Sequence, residues 1–382
     1  MIRGWNGETF YAERNNLADL VEQETDLVRK DYLQMVLETT EHVYNRRFTS
    51  YAAPRLTERE ALDSVAASVV SANRYFCVAA RYVDSLPNVL KKSDFVNHEL
   101  NRIMGKKSNL SMLGAAPMTP DKAISILVDF YKRTDSELYD LFQRAMDSSY
   151  LDFLDKYTTY LTEDTDGKTF FIDGVEKNFI AIMNSRDIKL VSNLVHEYGH
   201  AMKNLVAPEA AYTNEYDYFA EVPSIFMELL SYEENVGEYP KIVMDFLRYD
   251  VFAEYFNYAC QLSSQPYIYL QWRNNGFNIN RKMKRKLLKE DGINKEIYDK
   301  ALNSDISENG SYLLSYIVSL ELLHIYREDK REALKLFKKL LQLKPSVTYL
   351  GEVQKIVKLN EFALQESEKV VDDITLSLKR RG

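Results

Sequence analysis

Residues 187–205 read Asp187-Ile188-Lys189-Leu190-Val191-Ser192-Asn193-Leu194-Val195-His196-Glu197-Tyr198-Gly199-His200-Ala201-Met202-Lys203-Asn204-Leu205. Ile188, Val191, Leu194, Val195, Met202 and Leu205 recur with the period of one helix face, and Pro208 stops the run. The stretch is therefore predicted to be an amphipathic helix from about Asp187 to Leu205. On such a helix His196 and His200 stand one turn apart on the same face, close enough to share a tetrahedral metal ion. Glu197 lies beside the first of them, within reach of water at that metal, where a general base belongs.

A catalytic zinc of this kind takes a third protein ligand and keeps one position open. His42, His98 and His324 lie in separate helical stretches, and each reads as a surface or packed residue. A carboxylate is the natural alternative, and Glu209, Glu215, Glu221 and Glu228 all follow at workable distances. Glu221 is the best candidate, because it opens the periodic apolar segment Val222, Ile225, Phe226, Leu229 and Leu230. Glu228 lies two turns along the same face, where it could orient a ligand histidine through a hydrogen bond.

Helical periodicity fills most of the remaining chain. Asn16 to Arg47 repeats leucine, valine and tyrosine at spacings near three and four. Thr57-Glu58-Arg59-Glu60 is a capping-box pattern that opens a second helix, running through Val69 and Tyr75 until Pro87. Further helices start near Pro87 and Thr119-Pro120-Asp121. The pattern changes only at Thr169-Phe170-Phe171-Ile172, Asp173-Gly174 and Phe179-Ile180-Ala181-Ile182-Met183, which read as two short strands around a turn. No other strands are expected. The basic run Arg281-Lys282-Met283-Lys284-Arg285-Lys286 reads first as a solvated helix face and second as a docking patch.

Composition narrows the function classes. The 382 residues hold only 13 glycines and 9 prolines, too few for a turn-rich β-sandwich, and carry a net charge of −8. An acidic chain lacks the basic face that phosphate contacts need, so no nucleic-acid partner is expected. Two cysteines, Cys77 and Cys260, form neither a disulfide framework nor a metal-binding pair, which suits a reducing compartment. No secretory leader opens the sequence and no apolar run is long enough to span a membrane, so a soluble, cytoplasmic protein is expected.

These residues resemble the oligoendopeptidase F and thimet oligopeptidase family of zinc metallopeptidases. The resemblance rests on His196-Glu197-Tyr198-Gly199-His200, with its glycine before the second histidine. It rests also on Phe219-Ala220-Glu221-Val222-Pro223-Ser224, ending in Met227-Glu228, which is similar to that family's third-ligand helix. Ala123 through Tyr150-Leu151-Asp152, and Tyr312 to Leu323, resemble flanking segments, so the likeness covers about residues 119 to 370. It implies one Zn²⁺ per chain on His196, His200 and Glu221, with Glu197 activating the zinc-bound water to hydrolyse short oligopeptides. It also implies a mostly α, two-lobed helical zincin-like architecture with a small β-sheet next to the active-site helix. Residues 1–160 would form a helical N-terminal lobe and residues 161–382 the catalytic region. Segment Phe179–Met183 would line the cleft, its strand edge open to a peptide backbone.

The sequence departs from the family in four places, the first being Asn204, where the family usually has another histidine. Asn309 to Tyr316 lacks the histidine that precedes the family's tyrosine-rich helix, and Leu314 stands where a tyrosine is expected. Tyr312 and Tyr316 are then the candidates to stabilise the oxyanion. Thr169-Phe170-Phe171 replaces a Gly-rich hairpin, and the region before the zinc motif is short, which implies a more open channel. Two alternatives follow: a catalytically weakened, zinc-containing peptide-binding protein, and a related helical zinc carboxypeptidase.

Overall fold

The computed structural model describes residues 7–48, 57–71, 90–91, 93–94, 96–98, 118–156, 161, 166–208, 219–236, 239, 241–276, 280–303, 306–344 and 349–357. Cys77, Pro87, Glu209 and Glu215 lie outside them. Among the described residues the chain is mostly helical, with one small sheet.

Helices α1 (Gly7–Gln23) and α2 (Leu27–Phe48) form an antiparallel pair, followed by α3 (Glu58–Ser71). The capping box at the start of α3 is present: Thr57 N donates to Glu60 Oε2 at 2.7 Å, and Glu60 N to Thr57 Oγ1 at 3.3 Å. The predicted extension of this helix toward Pro87 lies outside the described residues. Thr119 caps α4 (Pro120–Thr134), where proline at the first turn sacrifices no hydrogen bond. Asp135 caps α5 (Ser136–Asp147) by accepting from the amides of Glu137 and Leu138. Helices α4 and α5 pack on each other and on the helix that carries His196. Tyr131 stacks on Phe142, and Phe142 meets the edge of Tyr198.

The sheet corrects two expectations. It has three strands, β1 (Ser149–Leu154), β2 (Gly167–Ile172) and β3 (Lys177–Met183), in the order β1-β3-β2. The sequence reading missed β1. It leaves α5 almost without a turn, and Asp152 interrupts its apolar pattern because Arg47 of α2 pairs with that carboxylate at 2.6 Å. β1 runs parallel to β3 from Ser149↔Asn178 to Leu154↔Met183, and β2 runs antiparallel to it from Gly167↔Ile182 to Ile172↔Lys177. The second correction follows from that order. Phe179–Met183 is the centre of the sheet with both edges paired, so among the described residues the edge strand on the metal-helix side is β2. Six consecutive buried residues from Asn178 to Met183 are what a strand covered on both faces requires.

The sheet separates two apolar clusters. Ile180 and Ile182 face the large core with Leu190, Leu194, Val195 and Met202. Phe179 and Ala181 face a smaller one made with Phe10, Leu17, Val36 and Leu37 of the α1–α2 pair. Gly174 turns the β2–β3 hairpin at φ +87° beneath Leu33, a conformation that a residue with a side chain rarely adopts.

After β3 come α6 (Lys189–Val206), α7 (Val222–Glu233) and the long α8 (Lys241–Asn274). A short α9 (Arg281–Arg285) runs into a π-helical turn at Lys286–Glu290. Then follow α10 (Lys295–Asn303), α11 (Ile306–Glu328), α12 (Lys330–Gln342) and α13 (Tyr349–Ile356). Helix α7 packs between α6 and α11. The buried Lys203 of α6 donates to the carbonyls of Leu340, Leu341 and Leu343 at 3.2, 2.9 and 2.7 Å, tying α6 to the end of α12. In the basic run, Met283 is buried, Lys286 donates to Gln271 and Lys284 lies over the Tyr298 ring, so part of that charge serves the chain's own packing. Among the described residues no helix is long and apolar enough to cross a membrane.

Candidate metal centre

The predicted helix over Asp187–Leu205 is observed as α6, with His196 and His200 on the same face. What brings a third candidate ligand to them is Gly199. A Cβ built there would lie 2.6 Å from Ser224 Cα and 2.8 Å from the carbonyl carbon and oxygen of Pro223, contacts no side chain tolerates. The bare helix surface at Gly199 therefore lets the first turn of α7 lie directly against α6. Pro223 starts that turn, and Glu221 stands just before it with no helix-capping bond, leaving its side chain free to point at the histidines.

The result is convergence on one point. Glu221 Oε2 lies 3.2 Å from His196 Nε2 and 3.2 Å from His200 Nε2. Ligand atoms of all three residues fall within 4.8 Å of one another, and this group could hold a metal ion. The same Glu221 oxygen is buried and has no hydrogen-bond partner. Two imidazole nitrogens and a carboxylate oxygen that converge in this way need a cation among them, either protons or a metal ion. The donor set fits a tetrahedral N/O site.

A second layer orients the first. Glu228, two turns along α7 from Glu221, places Oε2 3.3 Å from His196 Nδ1, which turns Nε2 toward the shared point. Its other oxygen accepts from Ser192 Oγ at 2.7 Å and Tyr232 OH at 2.5 Å, and those two hydroxyls also contact each other. Ser192 lies one turn before His196 and Tyr232 one turn after Glu228. The sequence reading singled out neither; their spacing from the candidate residues was the only signal.

The charges reinforce one another in the metal-free state. Burial pulls the His196 imidazole down, but the close approach and charges of Glu221 and Glu228 outweigh it and hold the pKa well above the ordinary histidine value. Burial pushes Glu221 up, and the two histidines overcome that to hold it far below the usual carboxylate range. Glu228 is likewise lowered against its burial by His196, Tyr232 and Ser192.

Glu197, the candidate base, is buried against β2, with Thr169 Oγ1 2.6 Å from its Oε2. The two tyrosines considered for the oxyanion are placed differently. Tyr316 OH donates to Glu254 Oε2 at 2.6 Å, and Tyr312 lies flat on Tyr258 with ring centroids 4.5 Å apart. Leu314 is fully buried. His324 pairs loosely with Glu328 on its own helix, and neither it nor His42 nor His98 joins the metal group.

No family model and no curated protein matches the chain. Solved structures do. A Bacillus anthracis str. Ames protein provisionally described as an oligoendopeptidase F superimposes over 98% of this chain and 68% of its own, at 15% identity and a TM-score of 0.54. A Chlamydophila abortus protein provisionally described as a peptidase matches over 97% of this chain and 62% of its own, at 13% identity and a TM-score of 0.54. The chain thus has the fold of these structures and spans about two thirds of their length.

Proposed function

We propose that this chain is a zinc-dependent metalloendopeptidase that hydrolyses peptide bonds in short oligopeptides. The observation that carries the reading is the convergence of His196 Nε2, His200 Nε2 and Glu221 Oε2 on one point, with Glu197 next to the first histidine in the chain. Two imidazoles and one carboxylate converging on one point suit zinc better than the harder divalent ions. Bound there, zinc supplies a Lewis acid that polarises the scissile carbonyl and lowers the pKa of water toward ~7. Glu197 takes a proton from the attacking water and returns it to the leaving amine. Glu228 keeps His196 oriented throughout. The fold likeness to proteins described as peptidases supports the reading. A cytoplasmic location belongs to the same proposal, supported by the two widely spaced cysteines of the sequence.

The test is zinc stoichiometry together with peptide turnover, with and without Glu197→Gln. One zinc per chain and a loss of turnover of at least ~10²-fold in the variant are expected. Equal activity of the two on a broad peptide library would sink the catalytic claim. A second reading, a zinc-containing peptide-binding protein, is favoured by one observation: the Tyr316 hydroxyl is given to Glu254. An oxyanion donor is worth ~10²–10³ in rate, so its loss weakens turnover without touching the groove. Peptide binding with no cleavage over long incubation would select that reading.

A further inference from the structure

Glu197 is held by more than its own helix. Residues Gly167 and Thr169 alternate with Lys168 on β2 and so share one face of that strand. The carboxylate of Glu197 lies across that face. Thr169 Oγ1 is 2.6 Å from Glu197 Oε2 and 3.2 Å from the Glu197 carbonyl oxygen. A hydroxyl has one proton to give, and the shorter, charged acceptor takes it. On the other side, a Cβ at Gly167 would stand 2.5 Å from Glu197 Oε1, 2.9 Å from Cγ and 3.0 Å from Cδ. The space that a side chain at residue 167 would fill is occupied by the glutamate itself. Glu197 is only 4% exposed in consequence.

We propose that Gly167 and Thr169 are positioning residues for Glu197: the Thr169 hydroxyl ties down Oε2, and the bare Cα of Gly167 leaves room for Oε1. The claim deepens the peptidase reading and rests on it. A free glutamate side chain samples many rotamers, and a base must stand within hydrogen-bond reach of the proton it takes. The edge strand of the sheet removes that freedom before substrate arrives. Here the chain carries Thr169-Phe170-Phe171, so the hydroxyl at 169 is a property of this sequence. It gives β2 a role beyond closing the sheet.

The experiment compares the zinc-loaded full chain with Thr169→Val, Thr169→Ser and Gly167→Ala. Valine keeps the branched shape and drops the hydroxyl, whereas serine keeps the hydroxyl. Thr169→Val is expected to lower kcat by about 10–100-fold, the usual cost of a misplaced catalytic group, with KM and zinc content unchanged. Thr169→Ser is expected to restore kcat to within about threefold, and Gly167→Ala to lose at least as much as valine. A second readout needs no turnover. Calorimetric binding of N-acetyl-leucine hydroxamate, whose acidic proton Glu197 would accept, should weaken about tenfold in Thr169→Val and recover in Thr169→Ser, with Glu197→Gln as the floor. Wild-type kcat and hydroxamate affinity in Thr169→Val would overturn the proposal. So would equal losses in the valine and serine variants accompanied by lower zinc content. If the wild type fails to cleave any peptide, the peptidase reading falls, and the hydroxamate series still decides whether β2 positions Glu197.

Discussion

Glu228 is the residue on which the geometry of the candidate centre turns. It faces His196 Nδ1 while two hydroxyls fix its other oxygen, so it holds the ring without competing for the ligand nitrogen. Glu228→Gln is expected to reduce zinc affinity about 10–100-fold, measured by competition with a chromophoric chelator, while zinc still binds one per chain. Glu254 is the contrasting carboxylate. Partial loss of hydration, with the charges of Glu228 and Asp250, pushes it up to about 7 against the hydrogen bond from Tyr316. Its folded pKa therefore lies above the unfolded value of 4.5. As pH rises from 4.5 to 7 the unfolded chain gives up this proton first, so Glu254 takes stability away across that window. Its side chain keeps contact with solvent, which makes the effect small. Glu254→Gln is expected to gain on the wild type in Tm as pH goes from 5 to 8. A constant Tm difference would show that Glu254 titrates normally.

The decisive contact between elements is that of α6 and α7 at Gly199. Helices normally pack with axes 8–10 Å apart, and side chains at the contact set that distance. Here the absence of one lets the α7 backbone touch α6, which is what delivers Glu221. Gly199→Ala gains about 1 kcal/mol of helix propensity, yet its methyl group would meet backbone at Ser224, which has no rotamer to move. Overpacking of this kind costs about 1–3 kcal/mol, and the outcome expected is a lower Tm. Zinc affinity should fall by more than tenfold because Glu221 is pushed out of register with both histidines. Retention of wild-type zinc affinity in a folded Gly199→Ala protein would show that Glu221 does not depend on this approach. At the far end of α6, Lys203 fastens the same helix to α12. Helix α6 is thereby fixed both beside its ligands and beyond them.

For the molecule as a whole, the sheet is a partition. Its inner face shares the large core with α6, and its outer face is covered by the α1–α2 pair, with Phe10 against Phe179 at 4.7 Å. The candidate centre draws on β2, α6 and α7 together, so a metal ion there couples their packing to global stability. Zinc at ~1,000 times its Kd would add about 4 kcal/mol, and chelation is expected to lower Tm accordingly. Because Glu221 and Glu228 raise the His196 pKa, a metal ion bound there would compete with a proton. Apparent zinc affinity should therefore rise as pH is raised through neutrality, and calorimetry in buffers of different ionisation enthalpy should detect proton release. An affinity independent of pH between 6 and 8 would contradict this charge arrangement.

Local pattern alone determined much of this protein. Helical period and proline position delimit α6, the box Thr57–Glu60 opens α3, and the spacing of His196 and His200 places two imidazoles on one face. Those are interactions between residues a few positions apart, and a periodic chain displays them directly. That Glu221 opens an apolar segment which becomes α7 was readable from the same periodicity. Tertiary structure decided the rest. Which strand stands at the edge depends on β1 inserting parallel to β3, and β1 is short and carries a charge that Arg47 of a distant helix satisfies. Whether Tyr316 faces the ligands or Glu254 depends on the packing of α8 against α11. That Thr169 and Gly167 cradle Glu197 depends on β2 lying along α6. Such contacts join residues far apart in the chain, and their energies come from burial and close approach, which no local spacing records.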